Sequence, residues 1–154
     1  MKKVTLTLTF ALMAGQLQAL SCMRPDPVAA FAQIAQAPEP YYVLYGRLSF
    51  DETALPAGFR DTFDGEPAPI PARFEGKGLT NAGFTSDFIS PAQLQVECAA
   101  NYCGTAQSGI DALFFVRADQ TPVTMIAGPC GGMIFPEPSQ ALRDQITACM
   151  QGGC

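Results

Sequence analysis

Six cysteines, at positions 22, 98, 103, 130, 149 and 154, constrain this chain more than any other feature. What they do depends on the compartment, and the residues ahead of the first one indicate which. Met1-Lys2-Lys3 is a basic start, Val4 to Gly15 is apolar, and Gln16 to Ala19 ends in a small residue. Leu17 and Ala19 stand where a signal peptidase reads. The expectation is a signal peptide over residues 1–19 and one domain over residues 20–154, with Leu20 as the new N-terminus. A spanning helix needs about 20 apolar residues, and this run is shorter, so no membrane span is expected. The rival is a lipoprotein signal with Cys22 as a lipid-anchored residue. Ser21 suits that signal, whereas Gln18 and Ala19 do not. The expectation is a soluble exported protein, periplasmic or extracellular.

In an oxidising compartment, six cysteines in a chain this small read as three disulfides. Cys98 and Cys103 flank four residues, as do Cys149 and Cys154, so each pair suits a tight local loop. That leaves Cys22 to join Cys130 across more than 100 residues. Closing a loop of that length removes roughly 4–5 kcal/mol of entropy from the unfolded chain. A zinc site fits poorly: neither pair has the C-x2-C knuckle spacing, and the sequence holds no histidine. No metal and no cofactor are expected.

Charge narrows the partners. Without Lys2 and Lys3 the chain keeps seven basic residues against 14 acidic ones, a net charge of −7, and Lys77 is its only lysine. Nucleic acid and anionic lipid both require basic clusters, so no nucleic-acid partner is expected. The 48% hydrophobic content argues against wholesale disorder, and about 135 residues suit one domain.

Most elements read as strands. Asp26 is a candidate N-cap with Pro27 at the first helical position, and Val28, Phe31 and Ile34 make one apolar stripe, predicting a short helix over residues 26–35. Tyr41 to Phe50 is aromatic and β-rich, with Gly46 as a bulge or bend signal. Residues 51–72 carry four prolines and read as a surface loop. Strands are expected at Ala72–Leu79, Gly83–Ile89, Gln93–Cys98, Ala112–Arg117 and Val123–Ala127. The last two are separated by Ala-Asp-Gln-Thr-Pro, read as a hairpin-like turn. A final helix over residues 139–150 has Ser139 as N-cap and Gly152-Gly153 as its stop. The fold class is therefore mainly β: a small barrel, OB-fold-like, with a short N-terminal helix and a C-terminal helix, disulfide-stapled. An α+β sandwich shares the same element order.

Several pieces, in order, carry a resemblance: Cys22-Met-Arg-Pro-Asp-Pro27, Ala30-Phe31, Val43 to Phe50, Cys103-Gly104, Leu113 to Ala127, Cys130 and Gly153-Cys154. The chain resembles the netrin-like domain, and most of all the N-terminal domain of the tissue inhibitors of metalloproteinases, an OB-fold barrel with flanking helices. That family begins Cys-[Ser/Thr]-Cys, where this chain reads Leu20-Ser21-Cys22, and it has a cysteine after Ala-Phe where this chain has Ala32. The positions matching Cys103 and Cys154 thereby lose their partners and gain Cys98 and Cys149, each five residues upstream. The resemblance keeps the remaining bridge, Cys22–Cys130.

In the family, the α-amino group and carbonyl of the first residue chelate the zinc of the target protease, and the second side chain enters the specificity pocket. Leu20 and Ser21 take those places here. An α-amino group titrates near 7.7–8.0, so a neutral fraction exists to donate to a metal. The resemblance thus implies a partner-binding arm of Leu20, Ser21, Cys22, Met23 and Arg24, with a zinc metalloprotease as the protein partner. The plainer alternative is that Cys22 only ties an arm to the core of a small secreted or lipid-anchored envelope protein.

An enzyme is not expected. Without histidine, Ser-His-Asp and Cys-His sites are impossible, and no G-x-S-x-G, G-x-x-x-x-G-K or G-x-G-x-x-G occurs. Asp51, Glu52, Asp61, Asp64 and Glu66 lie in the proline-rich loop and read as solvated acids. Gly128 to Gly132 reads as a turn around a disulfide. Cys98–Cys103 lacks the C-x-x-C spacing of thiol oxidoreductases. Tyr41, Tyr42, Tyr45 and Tyr102 are candidate exposed aromatics for a binding face, and Val43 and Leu44 are candidate core.

Overall fold

The computed structural model describes Cys22, residues 25–62 and residues 65–154. Leu20, Ser21, Met23, Arg24 and Asp64, together with the expected signal segment, lie outside the described residues. Helix α1 (Pro27–Ile34) begins where Asp26 accepts the Val28 amide at 2.8 Å. Eight strands follow: β1 (Tyr41–Phe50), β2 (Ile70–Thr80), β3 (Gly83–Val96), β4 (Cys98–Ala99), β5 (Tyr102–Cys103), β6 (Asp111–Arg117), β7 (Val123–Ala127) and β8 (Ile134–Pro136). Helix α2 (Gln140–Met150) closes the chain, capped by Ser139, whose hydroxyl accepts the Leu142 amide at 3.1 Å.

Six strands form one curled half-barrel sheet in the order β7-β3-β2-β1-β6-β8, and β4 and β5 make a separate hairpin. The fold is mainly β, barrel-like, with two helices and three disulfides. β1, β2 and β3 are an antiparallel meander, β6 is antiparallel to β1, and β7 runs parallel to β3.

The sheet has apolar packing on both faces, which its sequence reflects. On β1, Leu44 and Leu48 point into the curl, while Val43 faces the helices. On β6, Ala112, Phe114 and Val116 point in and Leu113 and Phe115 point out. Strands covered on both faces read as continuous apolar runs rather than alternating ones. Inside the curl, Phe74 meets Phe114 edge-on at 5.4 Å, an arrangement that aromatic quadrupoles favour. Outside, Phe31 and Ile34 of α1 and Ile146 and Cys149 of α2 pack on Leu113, Phe115 and Phe135. Arg143 of α2 lies 4.4 Å from the ring centroid of Tyr45 and donates to the Pro138 carbonyl at 2.7 Å, which ties the helix to the sheet.

Several expectations are corrected. Gly46 is neither a bulge nor a bend. It pairs directly with Gly76, and a Cβ on Gly46 would lie 2.3 Å from the Glu75 carbonyl oxygen, so the missing side chain permits a close approach of β1 and β2. The bulge lies instead between Gly78 and Leu79. The loop after β1 contains a 3-10 turn (Glu52–Ala54) and ends earlier than expected, because β2 starts at Ile70.

The two strands expected at Gly83–Ile89 and Gln93–Cys98 are one strand through Pro91. β7 joins the outer edge of β3 only from Ala92 onward, so Pro91 sits where β3 is still an edge, the position in a sheet that tolerates a residue without an amide. The turn between β6 and β7 is not a hairpin. Residues 118–122 carry the chain from β6 across to β3, on the far side of the sheet. β8 was not expected at all.

Candidate functional site

The covalent bridges set the frame. Cys22 is bonded to Cys130, Cys98 to Cys103 and Cys149 to Cys154. Cys98 and Cys103 face each other as a cross-strand pair of the β4–β5 hairpin. Cys149 sits buried on α2 and anchors the turn after it. Cys22 is exposed, and its bridge holds the segment ahead of α1 against the turn at residues 128–132. Within that turn the Gly131 amide donates to the Gly128 carbonyl at 3.0 Å. A Cβ on Gly131 would come within 2.9 Å of Pro25, and its φ of +79° already excludes most side chains. The arm is therefore fastened at two neighbouring points, a disulfide and a proline packed on a glycine.

That fastening lies at the rim of a cavity. Because β6 and β7 are joined by five residues yet sit on opposite sides of the sheet, the curl brings the two sheet edges toward each other. No ladder joins β7 to β6 or β8, and the open seam between them holds a cavity of about 500 Å³. Its walls come from β1 (Leu48), the 3-10 region (Glu52, Leu55), residues 105–107 with Ile110, β6 (Ala112, Phe114), β7 (Ile126, Ala127), Gly131 and β8 (Ile134, Pro136). The space exists because Ala106, Ala112 and Ala127 put only methyl groups where larger side chains would fill it.

The mouth is ordered by hydrogen bonds. Gly104 passes so close to β7 that a Cβ there would lie 2.0 Å from the Ala127 carbonyl oxygen. Beyond it, the Ser108 amide donates to Glu52 at 2.6 Å, the Phe50 amide donates to the Ser108 hydroxyl at 3.0 Å, and the Gly109 amide donates to the Leu48 carbonyl at 2.9 Å. Asp51 caps the 3-10 turn, accepting the Thr53 amide at 3.0 Å and its hydroxyl at 2.7 Å. Those two donors hold the Asp51 carboxyl below its usual range, the hydroxyl contributing most.

Asp51 and Glu52 thus each accept hydrogen bonds from the backbone around the mouth. Glu66 likewise accepts the Cys98 amide at 3.1 Å. Among the described residues, no group of three or more His, Cys, Asp or Glu side chains is placed to hold a metal ion. No helix among them is long and apolar enough to cross a membrane.

The aromatics divide. Tyr102 is half exposed and stands edge-on to Phe59, also half exposed, at 5.2 Å. Tyr42 lies against Phe88 at 5.3 Å. Tyr41 and Tyr45 are half-buried on the helix side. Val43 and Leu44 are both buried, on opposite faces. The sequence had not suggested the cavity, because its lining comes from separate segments with no shared motif. No protein-family model, curated protein or solved structure matches the chain.

Proposed function

We propose that this chain is an exported, non-enzymatic binding module of the netrin-like type that engages a protein partner through its N-terminal arm. The observation that carries this reading is the double fastening of Cys22 to Cys130 and of Pro25 on Gly131. Pre-organising an arm in this way removes ordering cost from binding. The connectivity also supports it: a three-strand meander with a fourth strand antiparallel to its first and a fifth parallel to its third suits a partly open Greek-key barrel.

Three bridges suit an oxidising compartment, in keeping with a periplasmic or extracellular location. The sulfur that a lipid anchor at Cys22 would need is the one bonded to Cys130, which favours the unanchored form. In the sharp version of this reading, Leu20 presents its amine and carbonyl to the zinc of a metalloprotease, with Ser21 entering the adjacent pocket.

The test is a panel of zinc metalloproteases assayed with oxidised protein whose N-terminus is verified as Leu20 by intact mass. Inhibition is expected, and one extra residue ahead of Leu20 should abolish it, because the amine would become an amide with no lone pair to donate. Inhibition that survives the extension would rule out chelation. Absence of inhibition across the panel would remove the inhibitor version altogether.

A further inference from the structure

We propose that the cavity in the open seam of the barrel binds an apolar small molecule that carries a cationic amine. Glu52 receives the amine, and Leu48, Leu55, Phe114, Ile126 and Ile134 receive the apolar body. This goes beyond the arm-mediated reading and does not rest on it.

Size comes first. About 500 Å³ falls within the roughly 300–1,000 Å³ of small-molecule sites, which combine apolar walls with a few placed polar groups. The walls here are aliphatic and aromatic, with polar side chains only at the mouth, where Glu52, Thr105 and Gln107 are exposed. A buried water requires two to four polar partners, and the inner walls offer few, so an apolar occupant is the better match.

The site is also pre-formed. Its mouth is fixed by the hydrogen bonds of Ser108 and Gly109, and its rim by the Cys22–Cys130 bridge. Closing around a ligand therefore demands little ordering.

Charge selects the head group. Among the described residues, Glu52 is the one ionisable side chain in the lining, and none of them brings a cation to it. One of its carboxylate oxygens accepts the Ser108 amide, and the other takes no hydrogen bond from a described residue. An ammonium group would supply that missing donor as a charge-assisted bond. A carboxylate or phosphate head would meet Glu52 with no cation among the described lining residues to neutralise it, on a chain already carrying 14 acidic residues. Fatty acids and anionic lipids are thereby disfavoured.

The experiment uses the full oxidised protein and three probes with one tail and different heads: decylammonium, decanoate and decanol, titrated at pH 7 by calorimetry and by amide chemical shifts. Decylammonium is expected to saturate at one per chain, at least tenfold tighter than decanoate. Glu52→Gln should weaken decylammonium about tenfold or more, as expected for loss of a hydrogen bond to a charged group, and leave decanol unchanged. Glutamine keeps an oxygen for the Ser108 amide, so the mouth stays latched.

Ala106→Leu, which fills the cavity, should abolish binding of all three probes, with disulfide mapping to verify folding. No saturable binding of any probe by the wild-type protein would overturn the proposal. So would decanoate binding as tightly as decylammonium, or decylammonium binding undiminished in Ala106→Leu, which would mean adhesion to the acidic surface. Binding seen only in a chain that starts at Cys22 would show that the protein's own arm is the occupant, and would overturn it equally.

Discussion

Single atoms decide the path of this backbone at the pair Gly46 and Gly76. Each lacks the Cβ that would strike the other strand, at 2.3 Å from the Glu75 oxygen in one case and 2.3 Å from the Tyr45 oxygen in the other. Neither glycine is there for its freedom of φ; both are there for space. Gly46→Ala should therefore cost about 3 kcal/mol, the upper end of overpacking penalties, because backbone rather than a flexible side chain has to move. Urea unfolding should show a lower midpoint with an unchanged slope. A change below about 0.5 kcal/mol would mean that β1 and β2 can separate without loss. The sequence marked Gly46 as special, but a lone glycine in a strand signals a bulge and a close approach equally. Its partner, thirty residues away, is what distinguishes them.

At the scale of elements, what was legible had its determinants nearby in sequence. Both helices start directly after the residue whose side chain caps them, and β1 runs from the first tyrosine to Phe50, because capping and β-branched or aromatic runs are local signals. The errors share a different origin. Gly83–Ile89 and Gln93–Cys98 read as two strands although they are one, and nothing local to Pro91 between them says that β3 is still an edge at that point. The turn at residues 118–122 has hairpin chemistry, but whether the next strand pairs with the last depends on the curl of the whole sheet. β8 is three residues long and ends in proline, too short to carry periodicity.

The cavity was the least legible feature, since it consists of what three alanines on separate segments leave unfilled. α2, by contrast, seats two buried side chains, Ile146 and Cys149. Ile146 is fully buried between the helix and the outer face of the sheet. Ile146→Ala should cost about 2–4 kcal/mol by lost burial plus the cavity left behind, read by denaturant unfolding. A loss under 1 kcal/mol would show that the Cys149–Cys154 loop and the Arg143–Tyr45 contact hold the helix without it.

For the whole molecule, charge and covalent connectivity matter more than any one contact. Asp51 and Asp119 are held below their usual range, Asp51 by Thr53 and Asp119 by the Arg117 guanidinium. A carboxyl depressed in the folded state stabilises above its unfolded pKa, and that contribution disappears as pH falls through the folded value. Arg47 and Arg117 are raised by Asp111 and Asp119, hydrogen bonding first. Their contributions are present throughout the neutral range and fade only in strong alkali. With no histidine in the sequence, no side chain of ordinary pKa titrates between. The melting temperature should therefore be flat from about pH 8 to pH 5 and decline below about pH 4, as calorimetry across buffers would show. A step near pH 6.5 would contradict this.

The bridge from Cys22 to Cys130 also decides how the molecule answers a pull. Tension applied at its two ends travels through that bond and bypasses β1 to β7, all of which lie inside the ring it closes. Among the described elements, only β8 and α2 remain in the line of force, and Cys149–Cys154 short-circuits the last few residues. Pulled straight, the stretch between Cys130 and Cys149 spans roughly 65 Å at most, some 3.3–3.6 Å for each of its residues. The half-barrel is mechanically invisible from its own ends until the first cysteine is reduced.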